Sequence, residues 1–99
     1  MSVLVAVKVQ GNTEVFRQAL AERSDEFVAF SDRAQAGGAI HHRFGIGDGF
    51  VVAFDEWESA EQFESFFSDP GLQEFIASIG AEGQPEITVT EATDSPDQF

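Results

Sequence analysis

Two short stretches of this chain are apolar on both sides of an extended backbone, and this feature most limits what it can fold into. From Val3 to Gln10, Val3, Val5, Val7 and Val9 share one face, and Leu4 and Ala6 sit on the other. From Phe50 to Glu56, Phe50, Val52 and Phe54 share one face, and Val51 and Ala53 the other. A strand with one face in water alternates apolar with polar residues. These two do not, so the sheet they build needs a cover on each face.

The rest of the chain supplies one cover. Asn12 or Thr13 caps a helix, with Glu14 favoured by the dipole at its first turn. Phe16, Leu20, Phe27, Phe30 and Ala34 recur at helical spacing, and Gly37-Gly38 ends the run. Arg23 interrupts the stripe, and Ser24-Asp25 marks a kink or restart. Two strand-like runs follow, Ala39 to Ile46 and Phe50 to Glu56. The Gly47-Asp48-Gly49 junction between them reads as a type I′ hairpin. Ser59-Ala60-Glu61-Gln62 forms a capping box for a helix carrying Phe63, Phe66 and Phe67. Asp69-Pro70 restarts that helix, which then carries Leu72, Phe75, Ile76 and Ile79. A last strand, Glu86 to Glu91, alternates Ile87 and Val89 with polar residues.

Strand, helix, hairpin, helix, strand is the ferredoxin-like βαββαβ order, an α+β fold with a four-stranded antiparallel sheet. Right-handed crossovers place both helices on one face. The economical cover for the other is the sheet of a second copy, which makes a homodimer, a dimeric α/β barrel. Residues 1–93 form a single domain, and the polar tail from 94 to 99 is expected to be flexible.

Composition narrows the function. Eighteen acidic residues against five Lys and Arg leave a formal net charge of -13. Phosphate backbones need clustered cations, so nucleic-acid binding is not expected, nor is an anionic membrane surface. The charge reads as a solvated acidic surface, with adaptation to high internal salt as the sharper alternative. With no cysteine there is no disulfide, thiolate or Cys-ligated metal. No apolar run approaches the roughly 18 residues of a membrane span, and no basic leader precedes the first strand. A cytoplasmic protein is expected.

Candidate chemistry centres on His41 and His42, the only histidines. Adjacent strand residues point to opposite faces, so the two cannot chelate one metal. With the turn centred on Asp48-Gly49, His42 lies opposite Asp55, while His41 and Arg43 share the other face with Phe54. A His-Asp pair holds the imidazole in one tautomer and suits a general base; the competing reading is a structural cross-strand hydrogen bond. Which histidine faces a pocket stays open at this point. Arg43 either stabilises a developing anion or pairs with an acid such as Glu56. Trp57 either stacks on a flat ligand or anchors the second helix to the sheet. The chain has no phosphate-cradling glycine loop, nucleophile elbow or zinc-type spacing, so no cofactor and no metal are expected.

Asp55-Glu56-Trp57-Glu58-Ser59, followed by Glu61 and then Ser68-Asp69-Pro70, resembles the antibiotic-biosynthesis-monooxygenase-like group of dimeric α/β barrels. Element order matches over nearly the whole chain, and residues match over Asp55 to roughly Leu72. The resemblance implies a dimer with an apolar pocket between sheet and helices in each subunit. It also implies a cofactor-independent oxygenation of a small apolar or aromatic, quinol-like molecule. In that scheme His42 or His41 removes a proton, Arg43 stabilises the charge, and Trp57, Phe16, Phe54, Phe63 and Phe67 line the cavity. The chain departs from the group where members often carry a second-helix histidine, a place that Phe66 takes here. It also lacks the first-strand Asn and late His of haem-degrading members, so haem cleavage is not expected. The rival readings are a non-catalytic dimeric module that binds a small hydrophobic molecule or simply assembles, and an isomerase or cyclase that uses the same base and pocket.

Overall fold

A computed structural model describes all of residues 1–99. In chain order the elements are β1 (Val3–Gln10), α1 (Thr13–Glu22), α2 (Ser24–Ala36), β2 (Ala39–Ile46), β3 (Phe50–Trp57), α3 (Ala60–Phe67), α4 (Pro70–Ser78) and β4 (Glu86–Glu91). The strands form one antiparallel sheet in the order β2-β3-β1-β4. This is the ferredoxin-like α+β fold, with each of the two helical segments broken once.

The breaks have local causes. At Arg23 the backbone leaves helical geometry (φ -121°, ψ 31°), and its side chain reaches Glu26 at 2.6 Å and the Ser78 hydroxyl at 2.8 Å. Its guanidinium also lies 4.8 Å from the Phe75 ring centre, which ties the break to α4. The second break follows from Asp69-Pro70: the Asp69 carboxylate accepts from the Leu72 amide at 3.0 Å, and Pro70 occupies the first helical position, where its missing N–H costs nothing. Asn12 caps α1 by accepting from the amides of Glu14 and Val15.

Two turn readings need correction. The expected capping box is half formed. Ser59 accepts from the Gln62 amide, but the Gln62 side chain engages the Ser59 hydroxyl and the Glu58 carboxylate instead of returning to the Ser59 amide. The β2-β3 turn is not type I′, because only Gly49 (φ 80°) takes a positive φ. Asp48 avoids the steric cost of the left-handed region, and one flexible glycine closes the hairpin.

The helices lie on the face of the sheet that carries Val5, Val7 and Trp57. Only ten of the 99 residues are fully buried, and the apolar ones gather mainly in two clusters instead of one solid core. Val5, Val7, Trp57 and Phe63 form one; Phe16, Ala19, Phe75 and Ile79 form the other. The chain therefore spends its many phenylalanines on walls as well as on filling.

The other face of the sheet is bare. Leu4 is 47% and Phe54 56% exposed, with Ala6 and Val52 beside them by strand alternation. Lys8 lies over the Phe50 ring, 4.5 Å from its centre, on this face. Ile87 and Val89 pair with Val7 and Val5 on the helix-covered side, yet stay exposed because β4 is an edge that the helices do not reach. No helix is long and apolar enough to cross a membrane.

Candidate active site

A cavity of about 640 Å³ opens between the helices and the β2 side of the sheet, and 22 of its 32 lining residues are hydrophobic. That volume suits a small organic ligand, for which pockets of roughly 300–1,000 Å³ are usual. Its wall draws on both core clusters, with Val7, Trp57 and Phe63 from one and Phe16, Phe75 and Ile79 from the other. Helix α2 forms a roof: none of its residues is fully buried, yet Phe27, Phe30, Ser31, Ala34 and Gln35 all line the space. Val28 and Ile40 belong to the wall and are 58% and 46% exposed. They mark the mouth, between α2 and the edge strand β2.

The polar chemistry comes from β2 and β3. Pairing in these strands sets His42 opposite Asp55 and Phe44 opposite Ala53. His42 Nδ1 lies 2.6 Å from Asp55 Oδ1. A carboxylate only accepts, so Nδ1 carries the proton and donates it, which leaves Nε2 as the free acceptor. The Asp55 side chain is only 11% exposed against 41% for His42, so the acid is sunk in the wall and the imidazole reaches toward the mouth. The Phe44 ring meets the imidazole edge-on at 4.6 Å. The second oxygen of Asp55 accepts from Trp57 Nε1 at 3.1 Å.

The sequence-derived residues separate by face. His42, Asp55, Trp57, Phe16, Phe63 and Phe67 come together around the cavity. His41 and Arg43 also border the cavity, but alternation turns their side chains to the opposite face, where they pair with Glu56 and Phe54. His41 there lies 4.0 Å from Glu56, with its side chain 76% exposed. Phe54 is a correction: it pairs with Arg43 and Ala6 on the bare face and takes no part in the wall. The reason is parity, since Phe54 and Trp57 stand an odd number of residues apart on one strand and cannot share a face. The same argument removes Arg43 as a group that stabilises charge inside the cavity.

Sequence reasoning passed over Phe44, two residues from His42 on the same strand, and the polar pair Ser31 and Gln35 on the roof, where Gln35 donates to Ser31 at 3.2 Å. It weighed Trp57 as a ligand-stacking residue or a helix anchor, and not as a partner of Asp55. The spacing Asp55-x-Trp57 was the available signal, because residues two apart on a strand project side by side. Nowhere does the chain gather three His, Asp or Glu side chains closely enough to hold a metal ion.

No protein-family model matches the chain, and no curated protein matches it. Solved structures do. One is a monooxygenase from the gene ActVA-Orf6 of Streptomyces coelicolor, in complex with nanaomycin D: TM-score 0.67, 16% identity, covering 99% of this chain and 93% of that one. A dimeric ferredoxin-like protein from an uncultured marine organism gives 0.66 at 14% identity, covering 99% and 93%. SnoaB, a cofactor-independent oxygenase from Streptomyces nogalater, gives 0.61 at 13% identity, covering 98% of both chains. The chain has the fold of structures named antibiotic biosynthesis monooxygenases. At these identities the likeness speaks for the fold.

Proposed function

We propose that the protein is a cofactor-independent monooxygenase-like enzyme for a small, uncharged, apolar or aromatic molecule of the quinol type. One observation carries this reading: a His42-Asp55 pair stands at a cavity whose wall is otherwise mostly apolar. The free Nε2 of His42 takes the proton of a substrate hydroxyl, and Asp55 holds the imidazolium that forms. The resulting electron-rich anion gives up electrons to oxygen. The overall change balances when a phenol with one ring C–H becomes a quinone: one oxygen atom enters the product, the other leaves as water, and the substrate supplies all the electrons.

The inward carboxylate of Asp55, with no inward Lys or Arg side chain beside it, argues against a carboxylate or phosphate ligand. It also supports a second reading, in which the site binds a small molecule without turning it over, because no Lys or Arg side chain is turned inward to add to the His42 imidazolium in meeting a developing negative charge. A second copy of the chain covers the bare sheet face in either case. Exposed Leu4 and Phe54 support this, as does the fold shared with a structure called dimeric.

Oxygen uptake with a panel of hydroxyquinols, in wild type and His42→Ala, tests the enzyme. Turnover lost in the variant is the expected result. Equal rates sink the proposed base, and a ligand retained by the wild type without any oxygen uptake favours the binding module.

A further inference from the structure

We infer that Trp57 is a positioning residue whose indole N–H aligns the Asp55 carboxylate, and through it the His42 imidazole. This rests on the reading of His42 as the base. The three side chains form a line from the most fixed to the least. Trp57 is the most buried large side chain in the molecule, 1% exposed, wedged between the rings of Phe63 at 5.8 Å and Phe66 at 5.3 Å. Asp55 comes next, 11% exposed, and then His42, 41% exposed on an edge strand.

A carboxylate held only by His42 would still turn about its terminal torsion, since such sp³–sp² torsions are broad. Here each oxygen has its own donor, Nδ1 of His42 at 2.6 Å and Nε1 of Trp57 at 3.1 Å. Two donors fix the carboxylate plane, and the second comes from a ring that packing does not allow to move. Asp55 is then the coupling between a rigid anchor and an exposed imidazole. Trp57 thus keeps the Nδ1–H tautomer dominant and aims Nε2 at the cavity.

A purely structural hydrogen bond, one that merely satisfies a buried indole N–H, would leave His42 indifferent to its loss. The test replaces Trp57 with benzothienylalanine, which keeps the bicyclic shape and puts sulfur in place of N–H. Nitrogen-15 NMR of the unliganded protein reads the tautomer of His42, and His41, on the opposite face, serves as the control in the same spectrum. The expected result is a severalfold fall in the Nδ1–H population of His42 with His41 unchanged. An unchanged His42 tautomer overturns the inference. Should the replacement hinder folding, Trp57→Phe is read in the same way. In Asp55→Asn the wild-type tautomer is expected to collapse; its survival there also overturns the inference. Since these readouts need no turnover, they stand apart from the oxygen-uptake assay that tests His42 as the base.

Discussion

His41 and His42 are neighbours in the chain and face opposite worlds. His42 joins a buried carboxylate and an apolar cavity under the helices; His41 stands on a bare sheet face, 4.0 Å from a glutamate, with most of its ring in water. The two faces they belong to are both apolar, for different reasons. On one side the hydrophobic residues wall an empty space of about 640 Å³. On the other, Leu4 and Phe54 lie open with nothing above them. Apolar sequence marks surface that water should leave; it does not say whether a core, a ligand or another chain displaces the water.

The largest expected contrast is in activity. A positioned general base contributes about 10²–10⁴-fold, so His42→Ala should lower turnover by that factor, while His41→Ala should stay within about twofold because its side chain is outside the cavity. Steady-state oxygen uptake by the two variants, each with an unchanged circular dichroism spectrum, makes the comparison. An equal loss in both would erase the distinction between the faces.

Stability gives the next contrast. Trp57→Ala removes the most buried large side chain and should cost about 3–5 kcal/mol. Phe54→Ala, at 56% exposure, should cost about 0.5 kcal/mol or less in dilute protein, as surface changes do. Urea denaturation at low concentration measures both. A large loss for Phe54→Ala at high concentration alone would locate its packing partner on a second copy. Light scattering gives the direct form of that test: Phe54→Asp places a charge in the proposed seam, so the measured mass should fall to that of one chain, with the His42-Asp55 pair intact. A wild type that is already a monomer at micromolar concentration would leave the bare face without its proposed cover.

The element order, the helix break near Arg23 and the His42-Asp55 register were legible in the sequence because each follows from local rules: alternation, capping residues and a two-residue turn centre. The cavity was legible only through the family resemblance, which implies a pocket lined by Phe16 and Phe63. Helical spacing by itself gives these residues, like Phe75, as core, and only three dimensions show that they border a space. Phe54 was placed in the wall beside Trp57 although alternation alone sets the two on opposite faces of β3. The Trp57 indole bond to Asp55 was within reach of the same rule and went unread. Arg33 and Asp69, which meet at 3.3 Å, lie too far apart in the chain for any periodicity to pair them.

That contact sets the smallest contrast, and it concerns how the covered face keeps its cover. Asp69 caps α4, and Arg33 near the end of α2 reaches it, so the roof over the cavity is tied to the neighbouring helix by an exposed pair. The Leu72 amide, and after it Arg33, hold the Asp69 carboxyl below its ordinary value of 3.8. A lowered folded-state value contributes stability that is present above the unfolded-state value and lost as pH falls through the folded one. Wild type should therefore lose this contribution on going from about pH 5 to below pH 3. Asp69→Asn can still cap the helix but carries no charge for Arg33. Its melting temperature should lie a little below that of wild type at pH 5, with the gap closing in acid. Being surface electrostatics, the gap should also shrink in high salt. No change in ligand affinity from the substitution would show that the roof stays shut without this tie; a weaker affinity at unchanged global stability would make α2 the movable side of a site whose other side is the rigid sheet.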